Sequence, residues 1–265
     1  MLAGTQKLAI AGASGRMGQM LIEASSASTA FNISALLDAP QSAAIGTLIG
    51  ELPIRADAEA ALVGCDVLID FTRPEATLAY LAICQTLGVN AVIGTTGFSD
   101  AQKREIETAA KKIAIVFAPN MSVGVNVTAK LVEMAARSMG LEADIEVFEA
   151  HHKMKVDAPS GTALMLGDVA AKARGQHLSD VARYDRHGVT GAREAGTIGF
   201  SVVRAGDIIG DHTVYFVGQG ERIEITHRSS SRATYATGAL RAARFLAGKK
   251  SGLFSMDEVL GLNAV

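Results

Sequence analysis

Residues 7–18 read Lys7-Leu8-Ala9-Ile10-Ala11-Gly12-Ala13-Ser14-Gly15-Arg16-Met17-Gly18, and this stretch decides the fold. Its first five residues are a short apolar run suited to a strand, and residues 16–25 have helical spacing. Three glycines at GxxGxxG spacing join the two. Glycine permits a tight turn and a close approach of main chain to a ligand. A helix opening directly after the turn offers free N–H groups and the positive end of its dipole to an anion. Residues 33–37 form a second apolar run, and Asp38 follows it, twenty residues beyond Gly18. A carboxylate there suits the hydroxyls of an adenine ribose, so the whole arrangement reads as a dinucleotide cradle. A plain strand-to-helix turn is the rival explanation for the glycines alone. An ordinary turn aspartate in Asp38-Ala39-Pro40 is the rival for the acid.

The pattern continues outward. Residues 67–71 (VLIDF) read as a strand, and Thr72-Arg73-Pro74-Glu75 as a capping box opening a helix toward residue 87. Residues 89–94 and 113–118 are further strands, and Ser99 with Gln102 caps the helix between them. Apolar strands without alternation, separated by helices, indicate a parallel sheet buried on both faces. Ligands of such sheets sit outside the carboxyl ends of the strands. Those ends carry Phe71, then Gly94, Thr95 and Thr96, then Ala118, Pro119, Asn120 and Met121, all candidates for the nicotinamide side.

After about residue 120 the text changes. Helices are expected over 126–138 and 162–174, a strand over 144–150, and a final helix over 235–246. Residues 175–196 read as loop, and the runs TIGFSVVRA, HTVYFVG and RIEITHR read as antiparallel strands. The fold class is α/β: a Rossmann-type parallel-sheet nucleotide domain over 1–122, plus an α+β domain with a mostly antiparallel mixed sheet over 123–232.

Composition narrows the function. With 49% apolar and 20% charged residues, the chain of 265 has ample material for a core. A net charge of −2 gives no basic field for nucleic acid. No apolar run approaches the ~18 residues of a membrane span, and the N-terminus lacks the parts of a signal peptide. Cys65 and Cys84 sit in apolar surroundings and read as reduced thiols of a cytoplasmic protein. A soluble enzyme or a small-molecule binder remains.

The second chemical motif is Glu149-Ala150-His151-His152-Lys153-Met154-Lys155-Val156-Asp157-Ala158-Pro159-Ser160-Gly161-Thr162. All six histidines of the chain fall at or beyond residue 151. If the strand stayed extended, His151, Lys153 and Lys155 would share a face and His152 would oppose them; a turn would gather them instead. Ser160, Gly161 and Thr162 form a helix start able to hold a carboxylate. The chemistry suggested is proton donation beside an anion site. A solvated basic strand end is the plain alternative. A metal site is not expected, since no HExxH and no third ligand at metal spacing occur.

These segments, with DFTRPE, GTTG, APNMSVGVN and GERIEITHRSSSR in the same order, resemble the 4-hydroxy-tetrahydrodipicolinate reductases (dihydrodipicolinate reductases) of lysine and diaminopimelate biosynthesis. The resemblance spans nearly the whole chain. It implies hydride transfer from NADH or NADPH to a cyclic imine dicarboxylate, with loss of water. It implies His151 and Lys155 as the proton-handling pair, and His152, Gly161 and Thr162 as substrate contacts. Residues 12–17, Asp38, 94–96 and 118–121 are implied to contact the cofactor, with Thr96 touching both ligands. A homotetramer is implied, and so is return of residues 233–265 to the nucleotide domain. Many such proteins carry a basic residue after the aspartate; here it is Ala39, with Arg16 as the nearby cation. NADH is therefore expected to serve at least as well as NADPH. Another two-domain dehydrogenase, or a non-catalytic NAD(H) sensor, are the competing readings.

Overall fold

The computed structural model describes residues 4–264. The chain forms two compact units, one built from residues up to Val123 together with those from Ala233 onward, the other from Gly124–Arg232. Elements run β1 (Gln6–Ala11), α1 (Arg16–Ser26), β2 (Phe31–Leu37), β3 (Leu48–Ile49), β4 (Leu52–Arg55), α2 (Ala58–Leu62), β5 (Val67–Asp70), α3 (Pro74–Leu87), β6 (Asn90–Ile93), α4 (Asp100–Ala109) and β7 (Ala114–Phe117). There follow α5 (Val123–Met139), β8 (Asp144–His151), α6 (Gly161–Ala173), α7 (Leu178–Val181), β9 (Ala182–Arg183), β10 (Ile198–Arg204), β11 (Gly210–Val217) and β12 (Arg222–Ser229). The chain closes with α8 (Ala233–Phe245), β13 (Gly252–Phe254) and α9 (Met256–Leu260). Among the described residues, no helix is long and apolar enough to cross a membrane.

The first unit is a doubly covered sheet in the order β13-β7-β6-β5-β1-β2-β4-β3, parallel except for the β3–β4 pairing. The run in β1 has no polar alternation because both faces are buried. Leu8 and Ile10 face the layer that holds α1 and α8, while Ala9 and Ala11 face the layer with α2, α3 and α4. Leu8 and Ile10 are fully buried, each worth roughly 1.5–3 kcal/mol. Next to β1 lie β2 on one side and β5 on the other. The strand order reverses there, which puts the crevice for a ligand at the carboxyl ends of those strands. Helix α8 packs closely because its inner residues are small: Ala236, Ala239, Ala242 and Ala243 are fully buried. A Cβ on Gly238 would lie 1.7 Å from the Met121 carbonyl oxygen.

One local expectation fails in this unit. Pro74 does open α3, but Arg73 is the cap residue and no side chain caps the helix. Thr72 is committed elsewhere: its N–H and hydroxyl both donate to Asp70 Oδ1, at 2.8 and 2.6 Å. Asp70 is buried, and its carboxylate takes the Thr72 groups ahead of the helix end. The Ser99–Gln102 capping box is present as read.

The second unit has a five-stranded sheet ordered β12-β11-β8-β10-β9, with α5 and α6 against one face. Its core joins Ile145, Val147, Ile198, Phe200, Val214 and Phe216 to Val132, Ala136, Ala163, Leu166 and Ala170. The sheet is mixed: β11 is antiparallel to β8 and β12, whereas β10 is parallel to β8 and β9. The run TIGFSVVRA is thus not a hairpin partner of the run after it. Strand β8 lies between them, since it alternates buried residues along most of its length and fills the centre. Residues 175–196 are loop apart from α7 and the two-residue β9.

Candidate active site

The glycine turn shows why each glycine is needed. Gly12 has φ of +68°, a backbone region other residues avoid. A Cβ on Gly18 would sit 2.2 Å from the Gly12 carbonyl oxygen and 2.8 Å from Ala13 Cα. Gly15 is the cap residue of α1 and supplies no side-chain hydrogen bond, so no capping side chain competes for the first-turn N–H groups. Asp38 reaches back to this turn. Its Oδ2 accepts from the Ser14 N–H at 3.1 Å and from the Ser14 hydroxyl, and its Oδ1 accepts from the Ala39 N–H at 2.8 Å. A cleft of about 940 Å³ opens here, lined by Gly12, Ser14, Gly15, Asp38, Ala39, Phe71, Arg73 and Tyr80 among others. Its volume lies at the upper end of small-molecule sites. These features fit the adenosine and phosphate portion of a dinucleotide.

The second unit carries the titratable cluster. His151, at the carboxyl end of β8, is buried, and its Nδ1 lies 2.6 Å from Glu149 Oε2. Glu149 is completely buried. Arg204 at the end of β10 pairs with both its oxygens, Nη1 at 2.7 Å and Nη2 at 2.8 Å, and the Ser160 N–H donates to Oε1 at 3.0 Å. Burial alone would push the Glu149 carboxyl up, but hydrogen bonds from Arg204, His151 and Ser160 together outweigh it and hold it below the usual range. Burial pushes His151 down; Glu149 opposes this, while Lys155 and Arg204 add to it. His212 on β11 stacks edge-on to His151, ring centres 5.1 Å apart, and burial pushes it down to about 4. Its Nε2 lies 2.9 Å from Ser160 Oγ, the oxygen that caps α6 by accepting from Ala163 N–H.

Lys155 arrives by a turn, closed by its N–H donating to the His152 carbonyl, and not by extension of β8. The alternating-face expectation for residues 151–155 is therefore corrected: β8 ends at His151. Lys155 Nζ pairs with Asp157 Oδ1 at 2.8 Å and faces partly to solvent. His152 meets the Arg232 guanidinium at 3.4 Å.

Comparison with known proteins follows the same division of the chain. Residues 6–121 match the model described as dihydrodipicolinate reductase, N-terminus, and residues 124–260 match dihydrodipicolinate reductase, C-terminus. The chain belongs to the dihydrodipicolinate reductase family. It is 59% identical over 262 residues to a protein of Cupriavidus pinatubonensis named 4-hydroxy-tetrahydrodipicolinate reductase, covering 96% of this chain and 99% of that one. A Bordetella parapertussis protein of the same name is 59% identical, with 97% and 98% covered. Among solved structures, a dihydrodipicolinate reductase from Paenisporosarcina, determined with dipicolinate bound, superposes with a TM-score of 0.81 at 27% identity, covering 96% and 98%.

Members of the dihydrodipicolinate reductase family are NAD(P)H-dependent oxidoreductases with a Rossmann-like sheet, and this chain has that sheet. Of the residues expected around a cofactor, Gly12, Ser14, Gly15, Asp38 and Phe71 line the cleft. Ala13, Thr95, Ala118 and Met121 are buried. Thr95 bonds Thr77 at 3.0 Å, and Gly94 is pressed by the Phe71 ring, where a Cβ would meet carbon at 2.1 Å. Arg73, not Arg16, is the cation lining the cleft. Ser160 is 2% exposed and its hydroxyl and N–H both have partners inside the protein, whereas Gly161 is exposed and Thr162 half-buried. Glu149, Arg204 and His212 were not singled out from sequence. Glu149 carries a signal, two residues before His151 on the same strand face. Arg204 and His212 reach the cluster only through sheet register.

Proposed function

We propose that this chain reduces 4-hydroxy-tetrahydrodipicolinate to tetrahydrodipicolinate with loss of water, the step of lysine and diaminopimelate biosynthesis for which its relatives are named. The observation that carries the reading is the buried Glu149–His151 pair beside Lys155 and the start of α6, in a chain that also holds the glycine cradle. Residues 12–17, Asp38, Phe71, 94–96 and 118–121 would hold the reduced cofactor, which when bound would supply the hydride.

The chain's own residues do the rest. The substrate carries two carboxylates. The exposed first N–H groups of α6 at Gly161 and Thr162 attract one, and the Lys155 ammonium attracts the dianion as a whole. His152, held by Arg232, is a further contact, and Thr96 is the residue of the first unit assigned to both ligands. The hydroxyl leaves as water, its carbon–oxygen bond breaking as the neighbouring carbon gives up a proton; hydride would then add to the conjugated imine so formed, and the electron-rich carbon left behind takes up a proton. His151 delivers it, with Lys155 as the second donor, a role typically worth ~10²–10⁴-fold. Ser160 caps α6, fixes the cluster and stands with Gly161 and Thr162 at the helix start assigned to the substrate.

For the cofactor, Asp38 opposes a 2′-phosphate and Ala39 offers it no cation; Arg73 tempers the repulsion. Both cofactors serve in this reading, NADH at least as well. Exposed Val203 and Val217, on the face of the second unit's sheet away from α5 and α6, support a homotetramer joined there. Free, buried Cys65 and Cys84 support a cytoplasmic setting.

The test is turnover of enzymatically generated imine with each reduced cofactor. Oxidation of both is expected. NADPH preferred by more than about tenfold in kcat/KM, about 1.4 kcal/mol, overturns the role of Asp38. NADH binding without turnover makes the chain a nucleotide sensor.

A further inference from the structure

We propose that Glu149, anchored by Arg204, is a positioning residue that locks His151 with its proton on Nδ1 and leaves Nε2 as the nitrogen that delivers the proton. The proposal rests on the reductase reading for its kinetic part and on geometry alone for the tautomer.

The argument is one of hydrogen-bond capacity. An ionised carboxylate has about four acceptor sites and no donor. Glu149 fills them: Oε2 receives Arg204 Nη1 at 2.7 Å and faces His151 Nδ1 at 2.6 Å, while Oε1 receives Arg204 Nη2 at 2.8 Å and the Ser160 N–H at 3.0 Å. Arg204 and the Ser160 amide can only donate. The bidentate Arg204 guanidinium and the Ser160 N–H keep the carboxylate ionised, and a bare Nδ1 would set lone pair against lone pair at 2.6 Å, so the proton between Glu149 and His151 belongs to Nδ1. Arg204 cannot turn away, because Nη2 also donates to the Asp157 carbonyl at 2.6 Å and Nη1 to the Val203 carbonyl at 2.8 Å. The Nε2 edge of His151 faces Gly210, where a Cβ would approach to 3.0 Å; the absent side chain keeps that nitrogen uncovered.

The surroundings fix the direction of the effect. His151 is faced by Glu149 on its own strand, Arg204 from β10, His212 from β11, and Lys155, paired with Asp157, from the turn that follows. Of these, Glu149 is the group that favours the imidazolium, while burial, Lys155 and Arg204 oppose it. A buried carboxylate in this position both sets the tautomer and stabilises the charged form that donates from Nε2. A glutamine at 149 presents one oxygen and one NH₂ to four donors. If its NH₂ faces His151, the ring must accept at Nδ1 and carry its proton on Nε2. If its oxygen faces His151, the NH₂ meets Arg204 and the Ser160 N–H.

The experiment is nitrogen NMR of histidine-labelled full-length protein, with the His151 signals assigned by their loss in His151→Ala, alongside pH profiles of kcat and KM. In the wild type, Nδ1 is protonated and Nε2 bare above the titration. In Glu149→Gln, the Nε2–H form gains population, kcat falls by about 10²-fold or more with KM altered far less, and the alkaline fall of kcat moves to lower pH. Glu149→Asp recovers part of the rate and the wild-type tautomer. A wild-type protein with bare Nδ1 overturns the proposal without any variant. So does a folded Glu149→Gln protein with unchanged tautomer and pH profile. If the wild type binds NADH but does not turn over the imine, the reductase reading fails while the tautomer measurement still decides this one.

Discussion

In the cradle around Gly12 the decisive groups are main-chain atoms, and the side chains matter by being absent: a Cβ on Gly18 would strike the Gly12 carbonyl at 2.2 Å. Around His151 the decisive groups are side chains, drawn from β8, β10, β11 and the start of α6 and bonded to one another at 2.6–3.0 Å. In the proposed reading the cradle recognises phosphate and ribose, which many substrates' enzymes share, and needs only shape and a helix end. The cluster, as proposed, handles one substrate's proton, a task that needs titratable groups with defined partners. The cradle lies open and local in sequence; the cluster is buried and assembled over more than sixty residues, from Glu149 to His212.

The comparison is broken most severely by changes in the cluster. His151→Ala and Lys155→Ala are each expected to lower kcat by ~10²–10⁴-fold while the NADH dissociation constant stays near wild type, measured by steady-state kinetics and by calorimetry. A variant that is folded but no longer binds NADH would contradict the division of labour.

Acid sensitivity comes next. His212 is 4% exposed and held near 4 against an ordinary 6.5. The unfolded chain binds a proton in that interval and the folded protein does not, so stability falls as pH drops through it. At about 1.4 kcal/mol per unit the loss is about 3 kcal/mol by pH 4. Glu149, whose carboxyl is held low, adds a loss that develops as pH falls below the ordinary glutamate value toward its folded one. His212→Asn is expected to flatten the dependence of Tm on pH between 6.5 and 4; an unchanged slope would assign the acid loss elsewhere.

In the cradle, Gly18→Ala forces the turn apart. Overpacking costs about 1–3 kcal/mol, read in Tm, and NADH binding weakens with it. The Glu149–His151 pair, monitored by histidine NMR, is expected to stay as in the wild type. The smallest effect is at Asp38. Asp38→Asn removes the charge that opposes a 2′-phosphate, and the ratio of kcat/KM values is expected to move toward NADPH by about tenfold, about 1.4 kcal/mol.

The two regions also differ in how far they could be read from residues alone. Glycine spacing, the strand before it and Asp38 beyond it lie within one βαβ unit, so elementary rules place them. The cap at Ser99 was legible for the same reason, since donor and acceptor are three residues apart. The box at Thr72 was not, because the buried Asp70, two residues earlier at the end of β5, takes the Thr72 N–H and hydroxyl. The segment from Glu149 to Thr162 announced its chemistry by composition and resemblance. Its partners did not: Arg204 enters because β10 pairs in parallel with β8, and His212 because β11 pairs on the other side. Both pairings are long-range, and reading β10 as one of a set of antiparallel strands hid the first of them.

The central claim is that hydride and proton reach one substrate from different groups, the hydride from cofactor in the cradle and the proton from the His151 cluster. It is tested most directly by supplying 4,4-dideuterated NADH with the imine in ordinary water and following the label by mass spectrometry, for wild type and for His151→Ala/Lys155→Ala. The account predicts one cofactor deuterium in each wild-type product molecule, and in the double variant a nearly complete loss of transfer with NADH still bound. Deuterium transfer by the double variant at the wild-type rate would contradict it.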